Sequence, residues 1–370
     1  MKVAVAGHFV QQGRVGGAEH MLYNLLRGMH ANGAQVSLLC TELAELAPAF
    51  VDEMKRASVA ILPQGRHANR FVGEQLSCLK PSLHADAVLF PNYFTPPIIP
   101  RRLGRVVTVI HDLQYLRFRE LTPPARLRWL RFTHGLTFRR ADSVVVLSEF
   151  VRDEVRKFYG DRAADKAVVI PTPISWARFG DSSPQDDGGR PYILSVAAHY
   201  PHKNLAVLIQ ALSIVRRSMD VRLVLVGQLP AALLGVKDRS RDPGQLVREL
   251  GLADHVQITG YVDDLTLGRY YRNARLFAFP SLYEGFGMPA VEAMGLGLPT
   301  VTTRCASLPE VTLGEATYVD AAQDPQAWAS ALLAILRDPG HRPSQSVQAR
   351  IRATYDPVRI ADLYLRQCRG

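Results

Sequence analysis

The chain has 370 residues, of which 47% are hydrophobic and 21% charged, and its formal net charge at pH 7 is +10. This length suggests two domains with buried cores, and the composition is that of an ordinary soluble globular protein. No run of 18 apolar residues occurs, which excludes a predicted membrane-spanning helix. Residues 2–7 are predicted as a strand, which is too short for the apolar core of a signal peptide.

The excess of positive charge lies in the first half of the chain. Residues 1–180 contain 24 Lys and Arg against 15 Asp and Glu, whereas residues 181–370 contain 20 against 19. Within residues 101–140, ten Arg stand against only Asp112 and Glu120. This asymmetry favours an anionic partner for the first half.

The four cysteines are scattered and form no Cys-x-x-Cys pair. They are Cys40, Cys78, Cys305 and Cys368. This spacing is typical of reduced thiols in a cytoplasmic protein and indicates neither a disulfide framework nor a metal site.

The first half alternates short apolar runs with helical or loop segments. A helix is predicted from Gly16-Gly17 to about Asn32, with apolar residues on one face. Strands are predicted at 2–7, 35–40, 59–62, 87–90, 106–110 and 143–147. Apolar runs with little alternation suit a parallel sheet that is covered on both faces, so the sequence predicts an α/β domain over residues 1–180.

A polar stretch then predicts a linker over residues 181–190, after which the α/β pattern restarts. Residues 191–345 are predicted as a second doubly wound domain, and 346–370 as two C-terminal helices. Strands are expected at 192–196, 223–226, 256–259, 276–279 and 300–303, with helices at 205–217 and 326–337. Ligands of such sheets bind beyond the carboxyl ends of the strands.

One segment of the second half carries the strongest functional pattern. Glu284 follows a predicted strand, and Glu292 lies in the helix that begins after a glycine-rich bend, with Pro289 in its first turn. The backbone amides of Gly285, Phe286, Gly287 and Met288 lie at the helix N-terminus, where the dipole favours an anion. Two acids beside an anion site indicate hydroxyl groups on either side of a diphosphate, as in a nucleotide sugar.

Two other interpretations of this segment remain open on these residues. Gly285-x-Gly287-x-x-Ala290 also matches the dinucleotide-binding fingerprint, although that fingerprint usually opens a domain and Pro289 fits it poorly. The segment is also compatible with a purely structural strand–turn–helix unit.

The Glu-x7-Glu spacing with Gly-Phe-Gly-Met-Pro between the acids resembles the signature of retaining family-4 glycosyltransferases, in a mannosyltransferase-like branch. The resemblance covers nearly the whole chain and is strongest over residues 276–320. It implies the GT-B fold, in which two Rossmann-like domains face a cleft and the last helix crosses back onto the first domain. It also implies that Glu292 binds the ribose of the donor and Glu284 the hexose hydroxyls.

Three further positions match the same family in order and place. Gly16-Gly17, in the form Gly-Gly-Ala-Glu, would approach the diphosphate, although an ordinary flexible turn explains the pair equally simply. His111 follows a predicted strand directly and would lie near the transferred sugar, where the alternative is a structural histidine. Lys203 would contact the donor phosphates, where the alternative is a solvated lysine.

The loop before Lys203 departs from the family pattern. Many members carry an arginine five or six residues earlier, where this chain has Ala197 and Ala198. Lys203, His202, His199 and backbone amides are therefore expected to bear the phosphate charge. No Asp-x-Asp stands at a strand end and no His-Glu-x-x-His occurs, so we expect neither a metal nor any other cofactor.

Residues 126–140 are predicted as a helix that mixes arginines with apolar groups. The arginines either point into water or, with Trp129, contact anionic lipid headgroups.

The resemblance favours GDP-mannose as donor, with a rhamnose donor next, and a glycan or polyprenyl-linked acceptor. No nucleic-acid partner is expected. A cytoplasmic protein, attached peripherally to the inner face of the membrane, would fit.

The predicted function is therefore hexosyl transfer with retention and without a metal. Two alternatives remain: a GT-B phosphorylase or sugar-nucleotide epimerase, and a non-catalytic module that binds a sugar nucleotide. Dependence on inorganic phosphate, or product formation without acceptor, would identify the first. Donor binding without any turnover would identify the second.

Overall fold

The structure is a computed structural model. It describes residues 1–10, 16–42, 46, 48–56, 59–65, 70–180, 190–228, 243–338, 340 and 342–370. The described residues divide into two compact units: Met1–Ser175 with Thr354–Gly370, and Trp176–Ala353. Of the predicted linker at 181–190, all but Arg190 lies outside the described residues.

In the described part of the first unit, seven parallel strands form one sheet in the order β3-β2-β1-β4-β5-β6-β7. They are β1 Lys2–Ala6, β2 Gln35–Cys40, β3 Ala60–Pro63, β4 Ala87–Phe90, β5 Arg105–Ile110, β6 Ser143–Val146 and β7 Ala167–Val169. The order reverses direction between β1 and β4, as in doubly wound sheets. The sequence did not predict β7, because three residues at the edge of a sheet leave too short an apolar run.

Helices connect these strands, and the C-terminal helix returns to the same unit. They are α1 Gly17–Ala31, α2 Pro48–Arg56, α3 Arg70–Leu79, α4 Gln114–Arg117, α5 Pro124–Arg140, α6 Glu149–Tyr159, α7 Asp161–Asp165 and, at the chain's end, α15 Pro357–Arg369. The residues of the inner strands β1, β4, β5 and β6 are almost wholly buried, as expected where helices cover a parallel sheet, whereas those of the edge strand β3 are mostly exposed.

Helix α15 packs closely against α1. The side chain of Asp356 caps α15 by accepting hydrogen bonds from the amides of Val358 and Arg359. The Asn32 amide group donates to the carbonyl of Val358 at 2.8 Å. At Gly28 the backbones lie so close that any side chain would overlap the carbonyl oxygen of Pro357. A glycine on α1 therefore sets how near the C-terminal helix comes.

In the described part of the second unit, six parallel strands form a sheet in the order β10-β9-β8-β11-β12-β13. They are β8 Tyr192–Val196, β9 Arg222–Val226, β10 Val256–Gly260, β11 Leu276–Phe279, β12 Thr300–Thr303 and β13 Thr317–Val319. Only β13, again three residues long, was not among the predicted strands. The helices are α8 Leu205–Val215, α9 Pro243–Glu249, α10 Asp264–Asn273, α11 Met288–Gly295, α12 Leu308–Val311, α13 Pro325–Leu336 and α14 Gln345–Thr354.

Both units are thus α/β with a fully parallel sheet, and the predicted fold class is confirmed: each is Rossmann-like. Glu284 lies in the loop between β11 and α11, and Lys203 in the connection between β8 and α8. Because parallel strands direct their carboxyl ends to one edge, the two loops lie at the same edge of the second sheet.

The contact at Gly28 predicts the effect of one methyl group. Gly28→Ala should lower the free energy of unfolding by about 1–3 kcal/mol, because the added carbon overlaps Pro357 and contacts the Cβ of Ala361. Gly135→Ala on α5 is the matched control, since nothing lies within 4 Å of its added carbon; it should be neutral or stabilising by about 1 kcal/mol. Urea unfolding measures both, and equal stability of the two variants would contradict this packing.

Candidate functional site

The loop that carries Glu284 is held by hydrogen bonds to its backbone. The hydroxyl of Ser307 lies 3.0 Å from the carbonyl oxygens of both Glu284 and Phe286 and shares its proton between them. Gly287 forms the N-cap of α11 with a φ of 89°, a left-handed conformation that favours glycine. The turn therefore ends at a helix N-terminus, as the sequence predicted, with Pro289 in the first turn.

Lys203 and Glu284 form an ion pair. The Lys203 ammonium donates a hydrogen bond of 2.6 Å to Oε1 of Glu284, and the two side chains are 16% and 11% exposed. Lys203 ends a 3₁₀ turn, Pro201–Lys203, and the following Asn204 has a left-handed backbone whose side chain donates to the carbonyl of Ala322. The second unit thus brings together two predicted site residues that are 81 positions apart.

The histidines beside Lys203 are buried. Burial, with a smaller contribution from the charge of Lys203, lowers the pKa of His202 to about 3. The His202 ring is therefore neutral near pH 7 and does not share in the positive charge that the sequence predicted for this loop. Its carbonyl accepts a 2.8 Å hydrogen bond from the amide of Leu282, which ties the Lys203 loop to the Glu284 loop.

Glu292, on α11, is only 2% exposed and is held by two groups. Arg178 donates from Nη2 to Oε1 at 2.5 Å, and the Tyr271 hydroxyl donates to Oε2 at 3.0 Å. The other terminal nitrogen of Arg178, Nη1, donates to Oδ1 of Asp264 at 2.9 Å. The sequence did not predict Arg178 or Tyr271 as site residues, because nothing in the spacing joins position 178 or 271 to position 292.

The charge of this guanidinium is stabilised by its partners. Burial by itself lowers the pKa of Arg178, but the carboxylates of Glu292 and Asp264 outweigh burial and raise it above its ordinary value. Burial, with the charge of Glu292, also raises the pKa of Tyr271, so its hydroxyl stays protonated and donates.

His111 directly follows β5 in the first unit, as predicted. Its Nε2 lies 2.6 Å from the carbonyl oxygen of Pro91. Because a carbonyl only accepts, Nε2 carries the proton and Nδ1 is the acceptor. Burial lowers the pKa of His111, against smaller raising effects of the Pro91 hydrogen bond and of Asp112, so the ring is neutral near pH 7.

Gly16 and Gly17 also lie in the first unit, at the N-cap and the first residue of α1. Both are exposed, and a side chain at Gly16 would meet nothing within 4 Å. The predicted site residues are therefore divided between the units: Gly16, Gly17 and His111 in the first, Lys203 with Glu284–Met288 and Glu292 in the second.

The exposed part of α5 combines arginines with aromatic rings. Trp129 is 47% and Phe132 63% exposed, and their rings lie 6.2 Å apart. Arg126, Arg128 and Arg131 are exposed on the same helix. We call these five residues the basic aromatic face. Exposed Val72, Leu76 and Leu79 lie on α3, whose Phe71 ring is 5.9 Å from Trp129.

Within the described residues, no group of three or more His, Cys, Asp or Glu is arranged to hold a metal ion. In the same part of the chain, no helix has both the length and the hydropathy to cross a membrane. No disulfide joins the four cysteines, of which Cys40, Cys78 and Cys368 are buried.

Comparison with known proteins identifies the family. Residues 15–178 match the family model described as Glycosyltransferase Family 4, and residues 190–338 match the model described as Glycosyl transferases group 1. O-antigen chain mannosyltransferase B of Escherichia coli is 30% identical over 262 residues, which are 68% of this chain and 65% of that protein. The alignment thus spans slightly less than two thirds of the length of this relative.

Solved structures share the fold over nearly the whole chain. Sucrose-phosphate synthase from Thermosynechococcus elongatus superposes with a TM-score of 0.78 at 20% identity, covering 99% of this chain and 98% of that one. Anabaena HepE, solved in complex with UDP and glucose, gives 0.76 at 18% identity with the same coverage. Because the two glycosyltransferase models match successive segments that together span most of its length, the chain belongs to the glycosyltransferase family that they describe, and it shares the fold of these solved structures.

Proposed function

We propose that this protein transfers a hexose from a nucleotide diphosphate donor to an acceptor hydroxyl, with retention of configuration and without a metal. The observation that carries the proposal is the contact of Lys203 with Glu284 in the loop that leads to Glu292. One unit thereby presents a cation, a helix N-terminus and two carboxylates, which are the groups a nucleotide sugar requires. The name of the E. coli relative supports mannose, so GDP-mannose is the favoured donor and a rhamnose donor the next.

The reaction needs stabilisation of a leaving diphosphate more than it needs a protein nucleophile. As the glycosidic bond breaks, negative charge develops on the diphosphate, and Lys203 with the N-terminal amides of α11 would lie against it. These groups bind the transition state more strongly than the ground state because the charge is greatest there. A fixed lysine and a helix dipole take the place that a divalent cation would otherwise have.

The ion pair suggests how the donor enters. A diphosphate attracts the Lys203 ammonium, and Glu284 then loses its partner in a place where it is only 9% exposed. The hydroxyls of a bound hexose would donate to Glu284 and replace the lysine. A nucleoside diphosphate without the hexose leaves the Glu284 carboxylate without a hydrogen-bond donor. The complete nucleotide sugar should therefore bind more tightly than the nucleoside diphosphate product.

The two units would divide the substrates between them. We assign the donor to the second unit, Trp176–Ala353, and the acceptor to the first unit, Met1–Ser175 with Thr354–Gly370. His111 and the Gly16-Gly17 loop would be the contribution of the first unit. With Nε2 donating to Pro91, the His111 ring would offer Nδ1 as an acceptor for a hydroxyl of the transferred sugar.

The function is tested by thermal shift with a panel of nucleotide sugars, followed by assay of hexose transfer. A ligand that binds only the native state raises the apparent melting temperature, and GDP-mannose should give the largest rise. Transfer should persist in saturating EDTA, because Lys203 and the α11 terminus supply the positive field. Loss of transfer in EDTA with recovery in Mg²⁺ or Mn²⁺ would overturn the metal-independent mechanism. Stabilisation without any turnover would favour a binding module, and dependence on inorganic phosphate a phosphorylase.

Substitution of Glu284 and of Glu292 should have different effects on nucleotide binding and on turnover. Glu292→Gln should weaken binding of the bare nucleoside diphosphate by about 10- to 100-fold, because a hydrogen bond to a charged group contributes about 1.5–3 kcal/mol. Glu284→Gln should leave that binding equal or tighter, since Lys203 loses its competitor, yet lower kcat. Calorimetry and steady-state rates measure both.

Glu249→Gln is the control for these substitutions, because Glu249 is an exposed carboxylate on α9 that accepts a hydrogen bond from Gln245. It should leave both nucleotide binding and transfer unchanged. Wild-type behaviour of Glu284→Gln and Glu292→Gln in both measurements would show that the donor site lies elsewhere.

We propose that the acceptor is a glycan or a polyprenyl-linked sugar at an anionic membrane surface, reached through the basic aromatic face. Trp129 and Phe132 suit the boundary of headgroups and acyl chains, and Arg126, Arg128 and Arg131 suit the headgroups. Each arginine near an anionic surface contributes about 1 kcal/mol, so several together could hold the enzyme reversibly. The protein would then work in the cytoplasm on the inner face of the membrane.

Sedimentation with liposomes tests this attachment. Binding should require anionic lipid, fall with salt, and drop about 100-fold when Arg126, Arg128 and Arg131 become Ser. A variant with Arg217, Arg304 and Arg337 replaced by Ser loses the same charge from exposed positions of the second unit and should bind nearly as wild type. Equal recovery in the supernatant with neutral and anionic vesicles at low salt would disprove membrane attachment and leave the transfer reaction untouched.

A further inference from the structure

A buried charged cluster surrounds Glu292. It consists of Arg178, Asp264, Tyr271 and Glu292, and we call it the Arg178 cluster. The side chains of Arg178 and Glu292 are only 9% and 3% exposed, and the guanidinium also stacks on the ring of Phe179, 4.4 Å from its centroid. The charged partners come from three separate segments: the 3₁₀ turn Trp176–Phe179, α10 and α11.

The packing of the 3₁₀ turn brings Arg178 to Glu292. At Gly295 on α11, any side chain would overlap the indole of Trp176, so the turn lies directly on the end of this helix. Arg272 on α10 donates to the carbonyls of Phe179 and Gly180 at 2.7 and 2.9 Å and fixes the other end of the turn. The position of the guanidinium is therefore set by packing on both sides.

Stability does not explain such a cluster. Burial of an arginine and a carboxylate costs desolvation energy that their attraction often only offsets, and apolar residues of similar volume commonly serve as well. What the cluster does achieve is orientation. Arg178 binds Oε1 and Tyr271 binds Oε2, so the plane of the carboxylate and its rotamer are both fixed.

The carboxylate of Glu292 can accept further hydrogen bonds. Each carboxylate oxygen has two lone-pair directions, and in the described residues each oxygen of Glu292 accepts a hydrogen bond from one side chain. The remaining directions could accept two neighbouring hydroxyls, such as the 2′- and 3′-hydroxyls of a ribose. A freely rotating glutamate would have to be ordered on binding, at an entropic cost.

We propose that Arg178 is a positioning residue that holds the carboxylate of Glu292 oriented for the two ribose hydroxyls of the donor, with Asp264 binding the other terminal nitrogen of the guanidinium and Tyr271 assisting. The inference rests on the proposed function, since it takes Glu292 to be the ribose ligand. Arg178 would act only through Glu292, so its effect must disappear for a nucleotide that lacks the ribose hydroxyls.

The test compares each nucleoside diphosphate with its 2′,3′-dideoxy form. The probe is GDP, or the diphosphate of whichever base the nucleotide-sugar panel selects. Wild type should bind the ribose form about 10- to 100-fold more tightly than the dideoxy form. Arg178→Gln should lose most of this preference while binding the dideoxy form as wild type does. The preference is the ratio of two affinities measured on the same variant. A general loss of stability affects both affinities and therefore does not lower this ratio.

Further variants separate positioning from support of the fold. Arg178→Lys should restore part of the preference, and Tyr271→Phe should lower it partly; both remain informative if Arg178→Gln fails to fold. Arg269→Gln removes an exposed arginine of α10 that lies outside the Arg178 cluster and serves as the matched control. It should retain the preference. Arg178→Gln combined with Glu292→Gln should be no worse than Glu292→Gln alone.

The outcomes separate the inference from the proposed function. If wild type binds both nucleotide forms equally, or no nucleotide at all, Glu292 is not the ribose ligand and both fail. If Glu292→Gln abolishes the preference but Arg178→Gln and Arg178→Lys retain it, the function stands and the positioning role of Arg178 is wrong. If Arg269→Gln loses the preference as fully as Arg178→Gln, the loss is not specific to Arg178, and the inference is again wrong.

Discussion

In the second unit, each glutamate of the Glu-x7-Glu segment is paired with a cation from an earlier part of the chain. The pairs differ in chemistry. Lys203 is a point charge on a flexible stem, and it meets Glu284 where both side chains keep some exposure. Arg178 is a planar group that binds Glu292 in a nearly closed space. In the proposed function, the first pair exchanges partners when the donor binds, whereas the second holds its geometry.

The α/β architecture could be predicted from local sequence, because buried parallel strands consist of consecutive apolar residues. Among the strands of the described residues, β7 and β13 alone were not predicted. Each has three residues, which is too short an apolar run to be recognised as a strand. The loop with Glu284, the glycine bend and the helix with Glu292 were predicted for a similar reason. Glycine, proline and acidic residues at fixed spacing determine a strand–turn–helix unit without help from distant residues.

The partners of those glutamates could not be predicted from spacing. Lys203 lies 81 residues before Glu284 and Arg178 lies 114 before Glu292, and such contacts exist only after the second unit has folded. The state of His202 shows the same limit. Its sequence neighbours suggest a second positive group beside Lys203, whereas burial in the folded unit keeps the ring neutral. Charge at a site depends on solvent exclusion, which a linear pattern does not contain.

The distribution of charge between the halves of the chain now has a structural counterpart. A nucleotide diphosphate carries several negative charges, yet residues 181–370 are almost neutral, and their candidate donor site holds Lys203 as its cation beside Glu284. The excess of positive charge lies instead in the first half and includes the exposed arginines of α5 beside Trp129 and Phe132. A donor bound by one lysine and a helix terminus needs no broad positive surface. This distribution supports the proposal that the arginines of α5 serve a second anionic partner, distinct from the proposed donor, and that this partner is an extended anionic surface.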